Sequence, residues 1–186
     1  MVPSSGEILL GEKKLDSETD FLWKKKISYI SQDTYLLDTS ILNNIALSDQ
    51  FSVINRKYAE DCAKKARIHD FIMSNGGYDI LVGERGVRLS GGQKQRIGIA
   101  RALYKNSDVI VFDEATNALD TQTEEEVFKS IYELNKNLTV IIVSHRILSL
   151  KDCDEIYMLD SGEIVDRGSF KELTSKNIKF KEMAKK

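Results

Sequence analysis

The sequence predicts an α/β fold with a parallel-sheet core, and three observations carry that prediction. Val109-Ile110-Val111-Phe112 and Val140-Ile141-Ile142-Val143 are continuous apolar runs, too short for helices and rich in β-branched residues, as strands buried on both faces are. Between them Val127, Phe128, Ile131 and Leu134 recur at helical spacing. Strand, helix, strand over about 35 residues is a βαβ crossover, whose strands lie parallel with a right-handed connection. The third observation is that the first third of the chain leans to strands while the middle carries helical periodicity.

The elements follow in order. Short apolar or alternating runs at 7–10 and 26–30 read as strands. Over 58–72, Ala59, Cys62, Ala63, Ala66 and Phe71 recur at three- and four-residue steps, which predicts one amphipathic helix. A second helix runs from Ser90 to about Tyr104, with Ile97, Ala100, Leu103 and Tyr104 on one side, and Lys94, Gln95 and Arg101 turned to solvent or a partner. It ends near Asn106. Thr121-Gln122-Thr123-Glu124 has the form of a capping box and starts the crossover helix. Asp160-Ser161-Gly162 is a turn triplet, so the runs at 155–159 and 163–166 pair as a hairpin. Ser169 then caps a final polar helix carrying Phe170, Leu173 and Phe180.

A length of 186 residues fits one domain of roughly 100 to 200 residues. With 27 Lys plus Arg against 29 Asp plus Glu the net charge is −2, too balanced for a protein whose task is to neutralise nucleic-acid phosphates. No apolar run nears the roughly 18 to 20 residues that a membrane-spanning helix needs, and nothing at the start reads as a secretion signal. Cys62 and Cys153 lie far apart, and with only His69 and His145 for company they form no metal-ligand spacing. Idle thiols in a reducing compartment are the expectation.

The chemistry sits where strands end. Asp113-Glu114 closes the apolar run at 109–112, and ligands bind beyond the carboxyl ends of such strands. Asp113 suits Mg²⁺, a hard cation that takes oxygen ligands. Glu114 is then free to orient or deprotonate a water attacking a terminal phosphate. Alternatively, both carboxylates only cap the following turn. Leu89-Ser90-Gly91-Gly92-Gln93 starts the long helix, and Ser90 with Gln93 fits a capping box. Two consecutive glycines in a helix cost about 1 kcal/mol each relative to Ala, which calls for a reason. Glycine permits close backbone approach, and exposed N–H groups at a helix start suit a γ-phosphate. His145 follows the second apolar strand and is either structural or a phosphate contact. Gln32 follows the strand at 26–30, where its amide oxygen suits Mg²⁺ or a water.

Taken together and in this order, these segments resemble the nucleotide-binding domain of ABC transporters. Gln32 falls in the Q-loop, Leu89 to Gln93 match the signature motif and Val109 to Glu114 match Walker B. Asn117-Ala118-Leu119-Asp120 looks like the D-loop and His145 like the H-loop. Gly83-Glu84-Arg85-Gly86 and Gln32-Asp33-Thr34-Tyr35-Leu36-Leu37 are similar to segments of exporter-type members. The resemblance implies a P-loop NTPase-type parallel sheet core with an inserted helical signature subdomain: a core remnant at 1–32, the helical subdomain at 33–106, and the Walker B and H-loop half of the core at 107–186. It further implies an ATPase using ATP and Mg²⁺, with Glu114 as general base, His145 as γ-phosphate sensor and Asp113 and Gln32 in the Mg²⁺ shell. Gln32, Leu89, Ser90, Gly91, Gly92, Gln93 and Asp120 are then ATP-binding residues, with Ser90 to Gln93 reaching the phosphate of a second ATPase domain across a head-to-tail pair. Other implied partners are an exporter's transmembrane domain, docked at the exposed Tyr35-Leu36-Leu37 on the cytoplasmic face of the membrane, and no nucleic acid.

The chain departs from the family's pattern in one respect. No G-x-x-x-x-G-K-[ST] phosphate loop occurs in residues 1–186, and Pro3-Ser4-Ser5-Gly6-Glu7-Ile8 resembles the stretch shortly after it, so the expectation is a domain whose N-terminal part is missing. An alternative is an inactive interaction module that lends its signature motif to an intact partner. A soluble ABC ATPase of DNA repair or translation fits the segment at 83–86 less well.

Overall fold

A computed structural model describes residues 3–10, 12–14, 20–47, 53–133 and 138–184. The chain divides into two compact units, 1–141 and 142–186. Among the described residues no helix is long and apolar enough to cross a membrane.

The first unit opens with a short antiparallel ladder of β1 (Leu9–Leu10) and β2 (Lys13–Lys14), where a strand was expected at 7–10. Helix α1 (Asp20–Lys26) leads into β3 (Ile27–Ile30). Helix α2 (Ile41–Ala46) follows, capped by the Ser40 side chain, which accepts from the Asn43 N–H at 3.1 Å. The helix expected over 58–72 is two helices, α3 (Arg56–Lys65) and α4 (His69–Ser74). Arg67 takes a left-handed φ of 55°, its N–H bonds the Lys64 carbonyl at 3.0 Å and the Ile68 N–H bonds the Ala63 carbonyl at 3.0 Å. This Schellman closure satisfies the orphan carbonyls. Ala66, Ile68 and Ile72 all stay buried across it, so the apolar pattern reads straight through the break.

Helix α5 (Gly91–Tyr104) is the central element. Ser90 and Gln93 complete its capping box, and Asn106, at φ 53°, ends it where expected. Ile97, Gly98, Ile99 and Ala100 are all buried, so the helix is enclosed rather than one-sided. Strand β4 (Val109–Asp113) follows and pairs parallel with β3, Ile27 opposite Val109 and Ile30 opposite Phe112. Helix α6 (Thr121–Tyr132) covers β4 through Phe128, whose ring meets that of Phe112 edge-on at 5.2 Å. Its cap lies one residue earlier than expected. Asp120, not Thr121, accepts from the Thr123 N–H at 2.9 Å, and Glu124 is buried, accepting a hydrogen bond from the Thr116 hydroxyl. Leu134, expected on this helix, lies outside the described residues.

Strand β5 (Thr139–Val143) completes the sheet in the order β3-β4-β5. The expectation of strands buried on both faces is corrected here. Ile110 and Phe112 are buried beneath the helices, but Tyr29 is 60% exposed, and Ile141 and Val143 are 48% and 49% exposed. Helices α5 and α6 cover one face, and side chains alternate along a strand, so the other set stays open among the described residues.

In the second unit β6 (Ile156–Asp160) and β7 (Glu163–Gly168) form the expected antiparallel hairpin. The expected final helix is again two, α7 (Phe170–Lys176) and α8 (Ile178–Met183). Asn177 separates them: its side chain accepts from the Phe180 N–H at 2.9 Å and donates to Asp166 at 2.8 Å. Ile147, Leu150, Ile156, Leu173 and Phe180 make this unit's core.

Candidate functional site

The parallel register of β3 and β4 sets the site. Ile30 stands opposite Phe112, so Gln32 and Glu114 each leave the same edge of the sheet two residues later, with Asp113 between. Tyr29 and Asp113 share the open face, and the Tyr29 hydroxyl donates to Asp113 Oδ2. That bond, with Asp113's negative charge, raises the Tyr29 pKa above the usual phenol value. Tyr29 is not among the residues the sequence motifs mark, and its place in the alternation, on the odd-numbered face with Asp113, is the signal that points to it.

Glu114 has a left-handed φ of 51°, which for a residue with a Cβ costs on the order of 1 to 3 kcal/mol. The conformation turns it out of the strand's alternation, and Asn117 Nδ2 donates to Glu114 Oε2 at 3.1 Å. Asp120 is committed as the cap of α6: its Oδ2 also accepts from the Thr123 hydroxyl at 2.6 Å, and the two Thr123 bonds hold its pKa below the ordinary value.

Gly91 and Gly92 open α5 beside the turn at 117–119. A Cβ on Gly92 would lie 2.8 Å from the Ala118 carbonyl oxygen, whereas one on Gly91 would meet only Ala118 Cβ at 3.5 Å. Close approach to protein backbone is therefore one reason for glycine at 92. Ser90 Oγ accepts from the Gln93 N–H at 3.3 Å and Gln93 Oε1 accepts from the Ser90 N–H at 2.8 Å, so the capping box forms.

Gln95 was expected to face solvent or a partner. It is 4% exposed instead, and its amide joins two loops: Nε2 donates to the Gln32 carbonyl at 3.3 Å, and Oε1 accepts from the Ala118 N–H at 3.1 Å. Arg101, with the same expectation, is half-buried and donates to the Asn44 carbonyl at 2.8 Å and the Tyr35 carbonyl at 3.0 Å. Burial lowers its pKa. Polar side chains at 95 and 101 thus serve backbone groups of the segment that follows β3. Leu36, expected on an exposed face with Tyr35 and Leu37, is buried, and a Cβ on Gly86 would lie 2.9 Å from it; Tyr35 and Leu37 are exposed as expected.

His145 belongs to the second unit. It is exposed, in the turn after β5, where the Arg146 N–H donates to Ser144 Oγ at 2.9 Å. Among the described residues no cluster of three His, Cys, Asp or Glu could hold a metal. Asp113 and Gln32 offer hard oxygen donors from one edge, a set that fits Mg²⁺ held by one or two protein groups together with water and phosphate oxygens.

Known proteins resemble this chain in sequence and fold. The ABC transporter family matches residues 1–117. The chain is 38% identical over 175 residues to the alpha-hemolysin translocation ATP-binding protein HlyB of Proteus vulgaris, covering 94% of this chain and 24% of that protein. It is 40% identical over 170 residues to the ATP-dependent lipid A-core flippase of Aliivibrio fischeri, covering 91% of this chain and 29% of the flippase. It superposes on the structure of a bacterial Atm1-family ABC exporter with ATP bound at a TM-score of 0.90 and 36% identity, over 97% of this chain and 32% of that one. The chain thus spans about a quarter to a third of the length of these relatives. On the family match, the relatives and the shared fold, the chain belongs to the ABC transporter family.

Proposed function

We propose that this chain is part of the ATP-binding and ATP-hydrolysing domain of an ABC exporter, coupling hydrolysis to transport across a membrane. The observation that carries the reading is the common exit of Gln32, Asp113 and Glu114 from one edge of two parallel strands. Glu114 is the base that accepts a proton from the attacking water, and Asn117 holds its carboxylate. Asp113 and Gln32 hold Mg²⁺, which neutralises charge on the phosphates when bound. Gln32, Leu89, Ser90, Gly91, Gly92, Gln93 and Asp120 bind ATP, Ser90 to Gln93 reaching the nucleotide of a second ATPase domain paired head to tail, and His145 is the γ-phosphate sensor. Residues 1–32 and 107–186 are core, and 33–106 are the helical signature subdomain. The exposed Tyr35 and Leu37 face a transmembrane domain, which keeps the chain at the cytoplasmic face of the membrane.

A second reading is favoured by one feature: residues 1–186 hold no G-x-x-x-x-G-K-[ST] loop, so the chain by itself is an inactive module that donates its signature motif to an intact partner. The test joins the chain behind the N-terminal part of the lipid A-core flippase, replacing the matching segment. Mg²⁺-dependent phosphate release from this fusion, and none from the chain alone, supports the ATPase reading. A fusion that folds and binds Mg-ATP without hydrolysing it supports the module.

A further inference from the structure

The buried Gln95 amide does two things at once. Its Nε2 donates to the Gln32 carbonyl and its Oε1 accepts from the Ala118 N–H, while the same turn, through Asn117, holds Glu114. One side chain therefore spans the loop after β3 and the turn after β4, and both ends are backbone groups, which do not change rotamer. A second feature of α5 works on the first of these loops. One helical turn further on, Gly98 leaves a notch filled by Thr34: a Cβ there would lie 2.8 Å from both Thr34 Cγ2 and Oγ1. Thr34 Oγ1 is buried with no hydrogen-bond partner. A buried hydroxyl without a partner opposes docking, so the loop is held against a cost and the Gln95 bond counts for more.

We propose that Gln95 is a positioning residue that locks the Gln32 loop to the Asn117–Leu119 turn, so that a displacement of one is passed to the other. Its role in catalysis rests on the ATPase reading above; the mechanical coupling does not. If Gln32 and Glu114 serve Mg²⁺ and the attacking water, the lock fixes the relation between the metal side and the base side of the reaction.

The test has two arms. In the first, NMR of the 186-residue chain reads the Gln32 carbonyl carbon and the Ala118 amide, which report directly on the two Gln95 bonds. Gly98→Ala pushes Thr34 away from α5, and if that variant fails to fold, Thr34→Ala empties the notch and removes the unpartnered hydroxyl, changing the seat of the same loop without touching the helix. Either perturbation is expected to move both signals, and Gly98→Ala, which crowds the loop, to raise Ala118 amide exchange at least about fivefold. In a Gln95→Met background the Ala118 response should vanish, as a double-mutant cycle requires of a true coupling. An unchanged Ala118 response in that background overturns the proposal, whatever the chain's activity.

The second arm uses the fusion with the flippase and the isosteric Gln95→Glu. Protonated, the carboxyl keeps both bonds. Ionised, it still accepts from Ala118 but repels the Gln32 carbonyl. The expected result is a kcat that falls about tenfold as that carboxyl ionises, with KM for ATP within about twofold and no such step in the unsubstituted fusion. A kcat that follows the unsubstituted profile while the Gln32 carbonyl signal shifts would reduce Gln95 to a packing residue. A fusion with no hydrolysis at all counts against the ATPase reading and leaves the first arm to decide.

Discussion

Replacing Gly92 by Ala separates backbone packing from any nucleotide contact, because its effect is read with no nucleotide present. A methyl there would stand 2.8 Å from the Ala118 carbonyl oxygen, while the same change at Gly91 meets nothing closer than Ala118 Cβ at 3.5 Å. Both sites lie in the first turn of α5, so the helix-propensity gain, up to about 1 kcal/mol, is common to the two and cancels in their difference. What remains is overpacking at 92 alone, typically ~1–3 kcal/mol. A chain of this size loses roughly 2–4 °C per kcal/mol, so Gly92→Ala should melt about 2–12 °C below Gly91→Ala in parallel thermal scans by circular dichroism. Gly91→Ala itself should match or exceed the unsubstituted chain. Equal melting temperatures for the two variants would refute the packing argument and return both glycines to a role in ligand contact only.

Three further outcomes follow from the structure. Burial pushes the Cys62 thiol up to about 11, and its side chain is 1% exposed, so iodoacetamide at pH 8 should modify Cys153 first and Cys62 only on unfolding; equal rates at the two cysteines in the native chain would contradict this. In the second unit Lys179 lowers the Asp160 pKa, Lys176 lowers that of Asp166, and the Ser169 backbone N–H lowers that of Glu172. A depressed carboxylate stabilises above its unfolded pKa, so stability should be flat from pH 7 to about 5 and fall below about 4; Lys176→Met should shallow that acid limb, and an unchanged limb would contradict the assignment. The chain alone should bind Mg-ATP no better than millimolar by calorimetric titration, since losing about three phosphate-loop contacts of roughly 1.5–3 kcal/mol each weakens binding by about 10³ to 10⁶. A micromolar constant with a matching thermal shift would reveal a nucleotide site in these residues.

What the sequence disclosed depended on whether the deciding interaction was local. Strand β4, the β6–β7 hairpin and both ends of α5 were legible because apolar runs, a turn triplet, the Ser90–Gln93 box and Asn106 act within a few residues. The break at Arg67 was not, because a Schellman closure uses backbone bonds and leaves the apolar phase intact. The open faces of β3 and β5 depend on what packs over the sheet, which no local pattern records. Gln95 and Arg101 show the same limit within the candidate site: on α5 they look solvent-facing by polarity, and only the loop after β3, far away in sequence, turns them inward. Asp113, Glu114 and Gln32 stand out as candidates because strand ends mark ligand edges in α/β sheets, and the β3–β4 register brings them to one such edge. Tyr29 was passed over because a Tyr within a strand reads as packing.

The measurement that bears most directly on the account is ATP turnover by the flippase fusion with Glu114→Gln. The amide cannot accept the water's proton, and a base in this position contributes about 10² to 10⁴-fold. Mg-ATP binding is expected within about twofold of the unsubstituted fusion, with steady-state phosphate release lower by that factor. Phosphate release at the unsubstituted rate, with binding unchanged, would remove Glu114 from the role and with it the reading of the β3–β4 edge as the centre of hydrolysis.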